Sequence, residues 1–287
     1  MIDVSALAKT YREEIRSEIK DKIKLVGFIC EKEGPSRTYA KYINSGCKDV
    51  GISFELRDTS KHQLEKAILA ANVDPSISGI ICFYPIFETG QDAYIRNLVD
   101  PLKDVEGLHN YWLQALYANK RELYGNKAIV PSTPLAIVKL LNEMKIQMDK
   151  TTVAIFNRSE VVGRPLAAML ANDGALVYSF DAQNLVVYQK DSIQDVEIPR
   201  LAALLNSDVV ITGVPSPSFP PIQLNELRGN AICLNFSTIK NFADDVESNH
   251  VFVPRIGPIT VAMLLRNSLR LLSHQTRKYA HENSLAW

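Results

Sequence analysis

Residues 151–181, TTVAIFNRSEVVGRPLAAMLANDGALVYSFD, leave the chain few architectures. Thr152–Phe156 is a short β-branched and aromatic run, the pattern of a buried strand. Residues 157–163 form a polar turn. Pro165 falls where the first turn of a helix tolerates it, and Leu166, Ala167, Met169 and Leu170 supply an apolar face. Residues 172–174 end that helix, 175–180 read as a second buried strand, and Asp181 stands at its end. Strand, turn, helix, strand and terminal acid together make the opening of a dinucleotide-binding βαβ unit. In such a unit phosphates lie on free N–H groups at the helix start, where the dipole is positive. The acid accepts hydrogen bonds from ribose hydroxyls. Two other readings stay open. Asn157 stands where the fingerprint has its first glycine, so a βαβ unit without nucleotide also fits. Asp181 also fits as a cap for the segment that follows.

Composition narrows the partners. The chain has 287 residues, 46% of them hydrophobic, which is enough for two modest domains. Lys and Arg balance Asp and Glu at 32 each, which argues against nucleic acid or an anionic membrane as main partner. No apolar run approaches a membrane span, and residues 1–20 read as an amphipathic helix rather than a targeting peptide. Cys30, Cys47, Cys82 and Cys233 are scattered, as expected of reduced, mostly buried thiols in a cytoplasmic protein. The histidines show no metal spacing, so no metal is expected.

Before the βαβ stretch the chain alternates strand and helix. Strands are expected at 22–30, 52–56 and 79–84, with helices from Pro35 toward Cys47 and over 61–71. This βαβαβ order favours a parallel sheet with helices on both faces. A short helix and then a strand-like 128–130 are expected in 110–130. Thr133 is expected to cap a helix over 135–144 with Pro134 at its first position. After Asp181, residues 182–198 are polar and poorly periodic. A helix at 199–206, strands at 208–212 and 231–235, and a long final helix over 260–277 follow, the last expected to pack on the first domain. The fold class is therefore α/β, with two α/β domains and a cleft between them, the second Rossmann-like. The first is 1–149 completed by 258–287, and the second is 150–257.

Several motifs then agree in order. Ser36 and Tyr39 are followed by Gly51-Ile52. Lys103-Asp104-Val105-Glu106-Gly107 forms an acidic loop. Pro131-Ser132-Thr133-Pro134, the stretch Asn157 to Pro165, and 253–267 complete the set. Together they resemble the methylenetetrahydrofolate dehydrogenases, a family often fused to a methenyltetrahydrofolate cyclohydrolase, and the text is most similar to its monofunctional, NAD-dependent fungal branch. The resemblance implies oxidation of 5,10-methylenetetrahydrofolate with NAD, in cytosolic one-carbon metabolism supplying purine biosynthesis, by a homodimer. It implies that Tyr39 stacks on the folate's aminobenzoyl ring and that Glu106 or Asp104 accepts hydrogen bonds from the pterin. Phe83, Pro85, Pro254 and Thr260 would shape the substrate site. Arg158, Ser159, Val162, Gly163, Arg164, Asp181 and the loop Gly213-Val214-Pro215 would line the NAD site.

The departures from the family pattern bear on activity. Bifunctional members carry a lysine one turn after the tyrosine, and here that position is Ile43. Lys41 lies about 200° around the helix from Tyr39 and points elsewhere. Phe83 replaces a glutamine, and Arg255-Ile256 replace paired glycines. A proton-handling pocket has become apolar, so dehydrogenase activity without cyclohydrolase activity is expected. The competitors are a bifunctional enzyme and a silent folate- or nucleotide-binding protein. Tyr39 also fits as an ordinary half-buried helix aromatic, Glu106 and Asp104 as solvated loop acids, Ser132 and Thr133 as cap and turn residues, and Cys47 as a small buried thiol.

Overall fold

A computed structural model of the chain describes residues 2–190 and 192–284. They divide into two compact units, one of Ser5–Ser132 with the C-terminal helix from Pro258, the other built on Thr133–Gly257. The class is α/β with two domains, as the alternation of elements requires. Residues 133–149, placed with the first domain on sequence, group with the second unit.

The first unit runs α1 (Val4–Glu18), β1 (Lys24–Ile29), α2 (Pro35–Val50), β2 (Ser53–Asp58), α3 (Lys61–Val73), β3 (Gly79–Cys82), α4 (Gln91–Leu98), α5 (Asn110–Tyr117) and a small hairpin, β4 (Glu122–Leu123) with β5 (Asn126–Lys127). Its three long strands are parallel in the order β2-β1-β3. Side chains alternate across β1 with the period of a pleated strand. Leu25 and Ile29 join Ile15, Ile43, Cys47 and Leu265 on one face, and Val26 and Phe28 join Leu64, Ile68 and Ile95 on the other. Gly27 faces the first of these layers, where the rings of Phe54 and Phe83 leave no room for a methyl group. Two expectations change here. Residues 128–130 are not a strand, because the backbone pairing is made by the hairpin just before them. Helix α4 went unread in the sequence. Its start is organised by the buried Asp92, whose carboxylate accepts N–H bonds from Ile86, Phe87 and Glu88.

Helix α6 (Ser132–Glu143) begins at the last residue of the first unit, so Thr133, expected as the cap, already lies inside it. The second unit continues with β6 (Thr152–Phe156), α7 (Gly163–Asn172), β7 (Leu176–Phe180), β8 (Leu185–Gln189), β9 (Ser192–Asp195), α8 (Arg200–Leu205), β10 (Val209–Thr212), β11 (Ile232–Asn235), α9 (Val246–Asn249) and β12 (Val251–Val253). Its sheet runs β12-β11-β10-β6-β7-β8-β9. The five strands from β12 to β7 are parallel, and β8 and β9 turn back antiparallel. The segment 182–198, read as aperiodic, thus extends the sheet. Its alternation is weak because β9 is an exposed edge strand. The core of this unit packs Phe156, Leu204, Val210, Cys233 and Phe252 among others. Helix α10 (Gly257–Ser284) returns to the first unit, where Val261, Leu264, Leu265 and Leu271 join the core under α1 and α2. Among the described residues no helix is long and apolar enough to cross a membrane, and no group of three metal-ligating side chains gathers.

Candidate active site

In the first unit, strand β3 is paired on one side only, and the acidic loop lies along its other edge. The Ile80 N–H donates to the Lys103 carbonyl at 2.7 Å. Lys103 anchors the loop by donating to the last carbonyls of α3, Ala71 at 2.9 Å and Asp74 at 2.7 Å, where the helix dipole favours a cation. Gly107 has φ 70° and its Cα faces the Val130–Pro131 peptide, so only glycine fits. The buried amide of Asn267 on α10 ties the loop to the next segment, donating to the carbonyls of Val105 and Val130.

The two loop acids have different surroundings. Asp104 is 5% exposed, and its oxygens accept N–H bonds from Glu106, Gly107 and His109 at 3.1, 3.0 and 2.7 Å. Burial raises its pKa to about 6 against the pull of these donors. Its oxygens are engaged by the loop backbone, which they hold in shape. Glu106 is partly buried, with its carboxyl near the Cys82 N–H at the edge of β3 along which the loop lies. Burial, then the nearby Asp104 charge, raise its pKa to about 8. Tyr39 on α2 is within electrostatic reach of Glu106, and Ser132 lies near its hydroxyl. Burial, with the Glu106 charge, pushes the Tyr39 phenol well up, so it stays a neutral donor. The Phe83 ring meets the Tyr39 ring edge to face at 6.1 Å. Ile43 and Cys47 lie one and two turns along the same helix, both fully buried. Burial also raises the Cys47 thiol to about 12, consistent with an inert thiol. Lys41 is exposed. Tyr39, Phe83, Glu106 and Asp104 thus come together, with Ser132 as a member read from sequence only as a cap or turn residue. Its place in the Pro131–Pro134 motif was the available signal. Pro85 is exposed beyond a cis Tyr84–Pro85 bond, and Thr260 is buried in α10. Pro254 is exposed and belongs to the other unit.

In the second unit, sheet order reverses between β6 and β10, the place where open α/β sheets bind ligands. The side chain of Asn157 spans the ends of these two strands, donating to the Gly213 carbonyl at 2.9 Å. Its Oδ1 accepts the Ser159 hydroxyl at 2.7 Å and the Ser159 N–H at 3.1 Å. This accounts for an asparagine at the position of the first glycine. Gly163 starts α7 hard against the turn, and a Cβ there would fall 1.9 Å from the Asn157 carbonyl oxygen. Gly163→Ala is expected to cost about 1–3 kcal/mol or more, since backbone must move, and to lower the melting temperature by several degrees. A variant melting like the wild type would show that the turn relaxes freely.

The helix start differs from expectation. Its N–H groups are not free, because Ser159 Oγ accepts from Val162 and Gly163 at 3.2 and 3.4 Å and the Ser159 carbonyl accepts from Arg164. Arg158 is also committed. Its side chain is 8% exposed and donates to Asn184 Oδ1 (2.5 Å), the Asn184 carbonyl (2.6 Å) and the Ser179 carbonyl (2.8 Å). It pairs with Asp181 at 3.1 Å. Asp181 Oδ1 accepts N–H bonds from Gln183 and Asn184, so the capping role holds for one oxygen of this acid. Burial pulls its pKa upward, but these donors and Arg158 hold it below the usual range. Arg164 is exposed, and Val214 and Pro215 follow Gly213 out of β10. What the unit offers a ligand is the backbone at the switch point and an ionised acid at the end of β7, since the Ser159 hydroxyl is spent on Asn157, Val162 and Gly163.

Comparison with known proteins agrees with both halves. Residues 2–106 match the tetrahydrofolate dehydrogenase/cyclohydrolase catalytic domain, and residues 131–276 match the NAD(P)-binding domain of the same family. The chain is 40% identical to the methylenetetrahydrofolate dehydrogenase [NAD(+)] of Schizosaccharomyces pombe, over 97% of this chain and 94% of that protein. It is 36% identical to the protein so named from Dictyostelium discoideum, over 96% and 94%. The solved structure of the NAD-dependent 5,10-methylenetetrahydrofolate dehydrogenase from Saccharomyces cerevisiae superposes with a TM-score of 0.87 at 37% identity, covering 95% of this chain and 96% of that one. The chain belongs to the tetrahydrofolate dehydrogenase/cyclohydrolase family.

Proposed function

We propose that this protein oxidises 5,10-methylenetetrahydrofolate to 5,10-methenyltetrahydrofolate with NAD as hydride acceptor, and does not hydrolyse the product. The observation that carries the reading is near-full-length similarity to relatives named methylenetetrahydrofolate dehydrogenase [NAD(+)]. The residues of the second unit fit a dinucleotide. Gly163 and Gly213 stand at the switch point of the sheet, where the chain packs so closely that a Cβ on either would collide with the protein itself. Ser159, Gly163 and the loop from Gly213 to Pro215 would hold NAD, with Asp181 toward the ribose. When bound, NAD supplies a carbon that takes up hydride.

The chain's own residues bind and orient the folate. Hydride loss leaves a cation spread over two substrate nitrogens, so no general base is needed. Tyr39, with Ser132 near its hydroxyl, offers a ring face to the aminobenzoyl group. Glu106 offers a carboxylate to the pterin N–H groups and lies near the charge that develops. Orientation of this kind supplies ~7–11 kcal/mol in favourable cases. Hydrolysis of the methenyl product instead requires a water to be deprotonated. Ile43 and Phe83 carry no proton acceptor, and the Glu106 carboxylate is taken up by the pterin N–H groups in this reading. NADH formation that depends on methylenetetrahydrofolate is the direct test, and its absence in purified protein sinks the reading. Methenyltetrahydrofolate is expected to decay in the presence of the protein at the buffer rate. Faster decay would establish the bifunctional alternative. The same proposal includes a cytoplasmic homodimer in one-carbon metabolism, and a monomer in solution scattering would refute the dimer.

A further inference from the structure

Beyond β10, on the side facing β11, the backbone of Val214 is held by side chains rather than by a neighbouring strand. The last ladder bond on this side is the Phe236 N–H to the Thr212 carbonyl at 2.8 Å. Past it, the amide of Asn241 takes the place of a strand. Its Oδ1 accepts the Val214 N–H at 3.0 Å and its Nδ2 donates to the Val214 carbonyl at 3.1 Å. Ser237 Oγ donates to the same carbonyl at 3.0 Å. Asn241 is 1% exposed and is itself held by Asn235, also buried. Asn235 Oδ1 accepts the Asn241 N–H and the Thr212 hydroxyl, and its Nδ2 donates to the carbonyls of Ser237 and Ile239. On the other side, the Gly213 N–H donates to the Phe156 carbonyl at 3.1 Å, and the Gly213 carbonyl accepts from Asn157. The ring of Phe236 covers the Gly213 Cα, where a Cβ would fall 1.8 Å from it.

Two buried amides, one bonded to both polar groups of Val214 and the other holding the first in place, are costly to desolvate and strongly directional. An apolar core would fill the same space without fixing the segment's peptide planes. The segment they fix forms the β10 wall of the switch-point crevice. We propose that Asn241 is a positioning residue for the dinucleotide: its amide sets the peptide planes of Val214 and so the affinity for NAD, with Asn235 and Ser237 as supports. This rests on the reading that the loop from Gly213 to Pro215 touches NAD.

The test is steady-state kinetics on the full chain. Asn241→Ala is expected to raise KM for NAD about tenfold, the value of one to two lost hydrogen bonds. kcat and the KM for methylenetetrahydrofolate should stay within about twofold, because transition-state contacts are untouched. Asn241→Asp keeps the acceptor for the Val214 N–H and is expected to fall between. Ser237→Ala, the mildest change, is expected to raise KM for NAD about two- to threefold and serves if Asn241→Ala does not fold. A fall in active enzyme with KM for NAD unchanged in the variants that fold would assign Asn241 a merely structural role and overturn the proposal. Val214→Trp separates the two layers, since it adds bulk to the loop and leaves the amide bonds in place. If it raises KM for NAD while the Asn241 variants do not, the positioning role alone fails. If it leaves KM for NAD unchanged, the contact reading fails and the proposal with it.

Discussion

Replacing Glu106 with glutamine is expected to lower kcat/KM for methylenetetrahydrofolate about a hundredfold, the scale of losing one preorganised electrostatic contact, while leaving KM for NAD within about twofold. The pH profile separates this from a general loss of structure. In the free protein Glu106 titrates with a pKa about 8 because burial and the Asp104 charge disfavour its anion. Only the anion accepts the pterin N–H groups with both oxygens. Since kcat/KM reports the free enzyme, it should rise about tenfold per pH unit below 8 and level off above. Glutamine does not titrate, so the variant's profile should be flat through that window. A wild-type profile already flat between pH 6 and 9 would mean that the ionised acid is not what binds.

The same substitution should stabilise the protein. The folded chain keeps the Glu106 proton up to about pH 8, whereas an unfolded glutamate releases it near its ordinary value of 4.5. Between those values the native state binds more protons, so stability falls as pH rises. Glutamine removes that dependence. Thermal melts should therefore coincide near pH 4 and diverge toward pH 8, with Glu106→Gln the more stable. Parallel melting curves would contradict the burial of this acid. A residue whose removal slows turnover and strengthens the fold is one that the fold carries at a cost, as binding sites commonly do.

How much of this the amino-acid text carried depends on the range of the interaction. The β6–α7–β7 unit was legible because local pattern decides it: apolar runs of strand length, a helix with one apolar stripe, and glycine at the joins. Tyr39, Glu106, Ile43 and Phe83 could be singled out through motif order. Helix α4 escaped because its start depends on Asp92 reaching back to three N–H groups, which no periodicity reveals. Strand β9 escaped because an edge strand needs no buried face. The distinction between Asp104 and Glu106 was invisible for a different reason. Two acids in one loop look alike in sequence, and only folding decides which one turns inward onto N–H donors. The same holds for Arg158, whose type suits a phosphate but whose NH1 and NH2 are used by β7 and the turn after it.

That use of Arg158 underlies the second large effect, the choice between NAD and NADP. The enzyme is expected to favour NAD by about a hundredfold or more in kcat/KM. A 2′-phosphate would bring close to two negative charges near the ionised Asp181, a repulsion of about 2–3 kcal/mol after partial screening. Arg158 does not offset it, because its NH1 is taken by Asn184 Oδ1 and Asp181 and its NH2 by the carbonyls of Ser179 and Asn184. Removing both side-chain acceptors, as Asp181→Ser with Asn184→Ala, frees NH1 while the backbone still holds NH2. A guanidinium edge is then presented without its counter-charge, the form that recognises phosphate. The NAD to NADP ratio should fall about thirtyfold or more, mainly through a lower KM for NADP. Adding Arg158→Ala to the double variant should abolish that gain, which ties the new activity to the arginine. If the double variant keeps the wild-type ratio, discrimination lies elsewhere in the second unit and Asp181 serves only its turn.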